Sequence, residues 1–120
     1  MNDDLDLILH TSRKLFVPPA MTQLQAAHRV SDALVRILRD LSVRPRYSIG
    51  KGGTTSSDLA SAALGIRRAR VMGQFIAGVL VWRPGRESNY PEMPYVVFPG
   101  NVGDADSLAT VIEILRGRRR

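Results

Sequence analysis

Apolar residues fall into two rhythms along this chain. From Thr22 to Leu41, the positions Leu24, Ala27, Val30, Leu34, Ile37, Leu38 and Leu41 recur at three and four. That spacing predicts an amphipathic helix with one core-facing side. Arg29, Asp32, Arg36, Arg39 and Asp40 take the other side. Thr22 is the expected N-cap, and Pro45 cannot continue the helix. Elsewhere the apolar residues come in short runs. Leu5 to Thr11 predicts a buried strand, Arg46 to Gly50 a brief one, and Tyr95 to Phe98 another. Arg67 to Trp82 predicts one or two strands with a bend at Gly78. Pro18-Pro19 marks a loop, as does the Gly, Pro, Ser and Asn-rich stretch from Pro84 to Pro94.

Two further helices complete the pattern. One is expected over about Ser57–Leu64, with Gly65 just past its last turn. The final one is expected over about Ala105–Arg116, with Asp104 as its cap and Asp106 in its first turn. Strands alternating with helices predict an α/β domain, a layered sheet of mixed strands flanked by helices. A single domain is expected over residues 1–115, followed by a basic tail, 116–120, expected to be disordered.

The punctuation between these elements carries the candidate chemistry. A glycine-rich turn with a run of hydroxyls, Gly50-Lys51-Gly52-Gly53-Thr54-Thr55-Ser56-Ser57, joins a strand to a helix. A second, Pro99-Gly100-Asn101-Val102-Gly103-Asp104, does the same before the last helix. Glycine lets a backbone approach a ligand closely, and the first amides of a helix are unpaired and favour negative charge. Neither common phosphate motif fits. The Walker pattern needs Ser or Thr directly after Gly-Lys, where this chain has Gly52, and the dinucleotide pattern needs a glycine where it has Thr55. The bland alternative is a tight strand-to-helix turn. In open α/β sheets ligands bind outside the carboxyl ends of strands, so the two turns are expected to form two lips of one pocket.

Composition narrows the classes. With no cysteine among 120 residues, disulfides, thiolate chemistry and cysteine-ligated zinc are excluded. No apolar run approaches a membrane span, and the acidic start is unlike a secretory signal, so a soluble cytoplasmic protein with no membrane partner is expected. The net charge of +6 points toward nucleic acid, but four of the 17 cations sit in Arg116–Arg120. Without those four, 13 cations face 11 acids, a net +2. Nucleic acid is therefore not the expected partner.

Lys51–Asp58, Leu64-Gly-Ile-Arg-Arg-Ala69, Gly73-Gln74 with Gly78-Val-Leu-Val-Trp82, and Phe98–Asp104 occur in that order. Together they resemble the nucleotide-binding domain of the four-carbon acid sugar kinases, from about Leu7 to Leu115. The resemblance implies ATP and Mg²⁺ as cofactors. It implies that Gly52, Gly53, Thr54, Thr55 and Ser56 of the first turn hold the nucleotide with Gly100, Asn101 and Gly103 of the second, Gly78 lying on the same side. It also implies that the chain is the ATP-binding half of a kinase for a tetronate or 3-oxo-tetronate, incomplete at its N-terminus. The sugar acid would be reached only through a missing N-terminal domain or a partner chain, so the half alone is expected to be inactive. A homo-oligomer is open to it. The alternative is a non-catalytic interaction or regulatory module that kept the fold.

Several side chains have two readings. Asp58 and Asp104 either complement helix dipoles or contact Mg²⁺. Asn101 either tolerates left-handed geometry or hydrogen-bonds the nucleotide. Arg67, Arg68 and Arg70 either reach phosphates or are solvated. Trp82 either stacks on adenine or packs in the core. His10 and His28 have no nearby second ligand and make no expected metal site.

Overall fold

The computed structural model describes residues 6–11 and 16–117. Its framework is a four-stranded sheet of order β1-β4-β3-β2. The strands are β1 (Ser48–Lys51), β2 (Ala69–Ile76), β3 (Val79–Pro84) and β4 (Tyr95–Phe98). The helices are α1 (Gln23–Arg39), α2 (Gly53–Asp58) and α3 (Ser107–Leu115). A π-helical segment, Leu59–Ala63, continues α2. The expected mixed α/β sheet is thus the one observed, with β1 and β4 parallel and β2, β3 and β4 antiparallel.

Alternation along the strands splits the core into two layers. Tyr95 joins Val35, Leu59, Ala60, Ala63, Leu64 and Met93 under α1 and the π segment. Its neighbours Val96 and Phe98 point the other way, with Val79, Val81 and Val111 under α3. Each buried valine, leucine, methionine or phenylalanine among them contributes about 1.5–3 kcal/mol relative to exposure.

Helix α1 begins as expected. The Thr22 hydroxyl accepts from the Gln25 amide at 3.1 Å, and Gln25 Oε1 accepts from the Thr22 amide at 2.9 Å, a complete capping box. Its buried face follows the expected stripe only in part: Leu34 and Leu38 pack against the core, and Val30 and Leu41 are half-buried. Ala26 and Val35 are buried, whereas Leu24, Ala27 and Ile37 are exposed. The helix lies at the outside of its layer against α2 and the π segment, and the Ser31 hydroxyl donates to Asp58 at 2.5 Å. One neighbour buries one narrow line of a helix, not a broad stripe.

The first glycine turn is shorter than expected because the second helix starts at Gly53, not near Ser57. Gly52, at φ 100°, breaks the strand with a conformation that L-residues rarely adopt. Two residues earlier Gly50 is required for space. A β-carbon there would lie 2.3 Å from the Tyr95 hydroxyl and 3.0 Å from the Ser56 α-carbon. The helix therefore folds back against the strand it leaves. In the π segment the Leu64 amide bonds the Leu59 carbonyl at 2.9 Å, five residues back, which keeps two buried leucines on one face. Gly65 then ends the helix at φ 66°.

The expected bend at Gly78 is a two-residue hairpin turn between Ile76 and Val79. The last helix starts at Ser107, later than expected. Asp104 still secures its start, Oδ1 accepting from the Asp106 amide at 2.9 Å and the Ser107 hydroxyl at 3.1 Å. One expectation fails. Residues 6–11 form no strand, and Leu7, Ile8 and Leu9 are 70%, 65% and 51% exposed; Leu5 lies outside the described residues. The sequence marked these residues as apolar, but the sheet gives them no neighbour. Within the expected tail, Arg116 caps α3 and pairs with Asp6 at 2.7 Å, while 118–120 lie outside the described residues.

Candidate functional site

Strand direction brings the glycine turns together. β1 and β4 are parallel with Lys51 opposite Phe98, so both strands end at one rim of the sheet. The Gly52 amide donates to the Phe98 carbonyl at 2.8 Å, which joins the end of one strand to the other. β3 runs antiparallel to β4, so the hairpin turn at Gly78 opens on the same rim. A β-carbon on Gly78 would lie 3.2 Å from Val102, inside the second turn. Three segments distant in sequence thus share one edge.

At this rim some backbone groups are used and others are not. Among the described residues, the amides of Gly53, Thr54 and Thr55 have no hydrogen-bond partner, the first intrahelical bond running from the Ser56 amide to Gly52 at 2.9 Å. The amides of Gly100, Asn101 and Gly103 are likewise unpaired. Gly52 and Gly78 differ. The Gly52 amide is taken by Phe98, and the Gly78 amide donates to Gln74 Oε1 at 2.7 Å. Gly53, Thr54, Gly100, Asn101 and Gly103 are exposed, and Thr55 half-buried.

Ser56 has a different part. It is 3% exposed, and its hydroxyl donates to the Gly50 carbonyl at 2.6 Å. Its own carbonyl accepts from the Tyr95 hydroxyl at 2.6 Å. Its amide, hydroxyl and carbonyl are all committed inside the protein, so Ser56 builds the turn and offers nothing to a ligand. Burial pushes the Tyr95 phenol well above its usual range, which keeps it a neutral donor. Nothing in the linear sequence linked Tyr95 to Ser56.

Charge at the rim is sparse. Lys51 Nζ lies 5.0 Å from the centre of the Phe98 ring, a cation–π contact that holds one cation beside both turns. Asp58 is more than a turn beyond the helix start and is engaged by Ser31, so it does not front the rim. Among the described residues no three His, Cys, Asp or Glu side chains gather as a metal site.

The remaining candidates lie elsewhere. Arg67, Arg68 and Arg70 are exposed at the opposite rim, where β2 begins. Trp82 pairs with Tyr95, about 10 Å along the sheet from the glycine turns by the strand rise. It packs edge-on to Tyr95, centroids 6.1 Å apart, in the layer under α1. Its packing in this layer matches the core reading of Trp82. A shallow depression of about 330 Å³ lined by Arg29, Asp32, Ala33 and Arg36 lies on the exposed side of α1, away from both turns.

One distinction among the ten glycines isolates the site. Six have positive φ, and Gly50 and Gly85 are crowded by backbone or side-chain atoms. Only Gly53 and Gly100 have neither constraint. A β-carbon on Gly53 would meet nothing within 4 Å, and one on Gly100 only the Gly52 α-carbon at 3.8 Å. The fold tolerates side chains at both positions, and both open on the same rim.

Comparison with known proteins agrees with this architecture. A crystal structure of a domain of unknown function (DUF1537) from Bordetella bronchiseptica, a domain-swapped dimer with bound citrate, superposes with a TM-score of 0.64 at 21% identity. The match covers 84% of this chain and 25% of that one, so this chain spans about a quarter of its neighbour's length. No match was found among curated proteins. No helix among the described residues is long and apolar enough to cross a membrane. Residues 1–108 match the family model described as the nucleotide-binding C-terminal domain. With most of its length matched, and the resemblance read from its motifs upheld at that level, the chain belongs to the family of nucleotide-binding C-terminal domains.

Proposed function

We propose that this chain binds ATP with Mg²⁺ across its two glycine turns, as the ATP-binding part of a kinase for a four-carbon sugar acid of the tetronate or 3-oxo-tetronate type. The observation that carries this reading is the adjacency of Gly53 and Gly100, two glycines the fold does not require, at a rim with six unpaired amides. Family membership supports a nucleotide as the ligand class. The motif resemblance supports the sugar-acid acceptor.

The amides of Gly53, Thr54 and Thr55 would hold one part of the phosphate chain, those of Gly100, Asn101 and Gly103 another. The hydroxyls of Thr54 and Thr55 add donors, and Lys51 adds a positive charge. Mg²⁺ bound to the phosphates would supply charge neutralisation, the main need of phosphoryl transfer besides positioning. The described residues offer donors for anions and no cluster of acids, which suits a metal carried by the nucleotide. The acceptor would come from a sugar-binding domain or partner chain, and this chain alone would not turn over. A cytoplasmic location fits this reading, as does a homo-oligomer, which the domain-swapped Bordetella neighbour illustrates for its own chain.

Isothermal titration of the chain with Mg-ATP tests the proposal. Saturable heat with one site per chain is expected at or below millimolar nucleotide. No heat at that concentration overturns it.

A further inference from the structure

We propose that Leu7–Thr11, which lies outside the four-stranded sheet in this structure, docks in solution in parallel along the free edge of β1 as a fifth strand, and that its end carries Thr11 to the glycine rim beside Gly52. Four independent observations converge on this pairing.

First, Leu5, Leu7, Ile8 and Leu9 form the near-continuous apolar run of a parallel strand buried on both faces. Leu7, Ile8 and Leu9 are nonetheless more than half exposed, outside any element. Second, β1 is an edge strand, bonded only to β4 within the sheet. The Ser48 and Gly52 amides point inward, to Pro94 and Phe98. By alternation the amides of Ile49 and Lys51 face outward, a template for one more strand.

Third, the chain order is Leu7–Thr11, then α1, then β1. A strand, a crossover helix and a second strand in one sheet pair in parallel with a right-handed connection. β1 already has a parallel partner on its other side, so another parallel neighbour continues the same ladder.

Fourth, the register is already set. The Tyr47 hydroxyl donates to Asp6, and Asp6 also pairs with Arg116 at 2.7 Å. Asp6 is thereby held one residue before β1, at the rim opposite the glycine turns. Five residues of parallel extension from this pin place Thr11 level with Gly52. There the Thr11 amide and hydroxyl would join the unpaired amides of the two turns. This last step rests on the nucleotide reading, whereas the strand itself does not.

Solution NMR on the 120-residue chain without ligand tests the strand. Nuclear Overhauser contacts are expected between Leu7–Leu9 and Ser48–Gly50, with the Ile49 and Lys51 amides exchanging at least tenfold more slowly than the Asn101 amide. Absence of those contacts together with fast exchange overturns the proposal. In a sample mixing differently labelled copies, contacts seen only between copies overturn it too, since the strand would then come from a second molecule. Ile8→Pro should accelerate exchange at Ile49 and Lys51 at least tenfold. If that variant does not fold, the wild-type contacts decide alone. When Ile8→Pro folds, its affinity for Mg-ATP should fall at least threefold, and unchanged affinity overturns the role of Thr11. Failure of the wild type to bind Mg-ATP would sink the nucleotide reading and leave the strand contacts standing.

Discussion

At one rim of the sheet, β1 and β4 end in turns holding Gly52, Gly53, Gly100 and Gly103. At the other, β2 begins and β3 ends among Arg67, Arg68, Arg70, Arg83 and Arg86. The glycine rim has little side-chain charge and six unpaired amides. The arginine rim has five exposed guanidinium groups, none of them in an ion pair among the described residues. Arg70 and Arg83 even face each other across the ladder, an unfavourable arrangement for like charges. The difference teaches that net charge is a poor guide to the proposed anion site. Peptide dipoles fixed by the fold can favour an anion without cations, because they are ordered before it arrives. Flexible arginines must lose rotamer freedom to do the same.

Four changes would break or sharpen this contrast. Gly53→Leu should have the largest effect, filling the rim without touching the fold. We expect at least a hundredfold loss of Mg-ATP affinity, about 2.7 kcal/mol, by titration calorimetry. The melting temperature should be nearly unchanged. Gly50→Ala should do the reverse, damaging stability first, because its β-carbon would overlap the Tyr95 hydroxyl. Overpacking of this kind costs about 1–3 kcal/mol, read as a lower urea midpoint.

Tyr95→Phe should cost about 0.5–1.5 kcal/mol by removing one buried hydrogen bond to the Ser56 carbonyl, which keeps the Leu59 amide as a donor. It also sets a pH dependence. The folded phenol is held above its ordinary 10.0, so only the unfolded chain ionises readily. The stability it contributes is full below about pH 10 and is lost as pH rises beyond it. Urea titrations from pH 8 to 11 should show this decline in the wild type and a shallower one in the phenylalanine variant. The smallest effect belongs to the arginine rim. Arg83→Glu should place an opposite charge across from Arg70 and raise stability by about 0.2–1 kcal/mol at low salt. Mg-ATP affinity should not change, and a large loss there would mean that the two rims are not separate.

Much of the fold was legible in the linear pattern. The three-four spacing and Thr22 marked α1, the run Tyr95–Phe98 marked β4, and Gly78 marked the hairpin. These signals are local, set by residues a few places apart. The buried face of α1 was legible at Leu34 and Leu38 but not at Ala26 or Val35, because what covers a helix depends on neighbours distant in sequence. Nor was the start of α2, since the hydroxyl run Thr54–Ser57 suits a cap or a helix interior equally until Gly50 is seen to admit Ser56. Of the candidate site residues, both turns were legible from glycine and hydroxyl content. Which of their amides remain unpaired was not.

By itself the sequence determined the kinds of element from α1 onward, their order and the two places where the backbone lacks side chains, because these follow from short-range sterics and periodicity. Only the tertiary structure decided that both places share a rim and that Gly53 and Gly100 stand open while Ser56 turns inward. It also decided that the arginines gather at the far end of the sheet. Parallel pairing of β1 with β4 brings the two turns to one rim, antiparallel pairing of β3 with β4 and β2 puts the arginines at the other, and the first of these joins strands more than 40 residues apart, from Ser48 to Tyr95. Contacts at such separation leave no periodic trace in the chain that makes them.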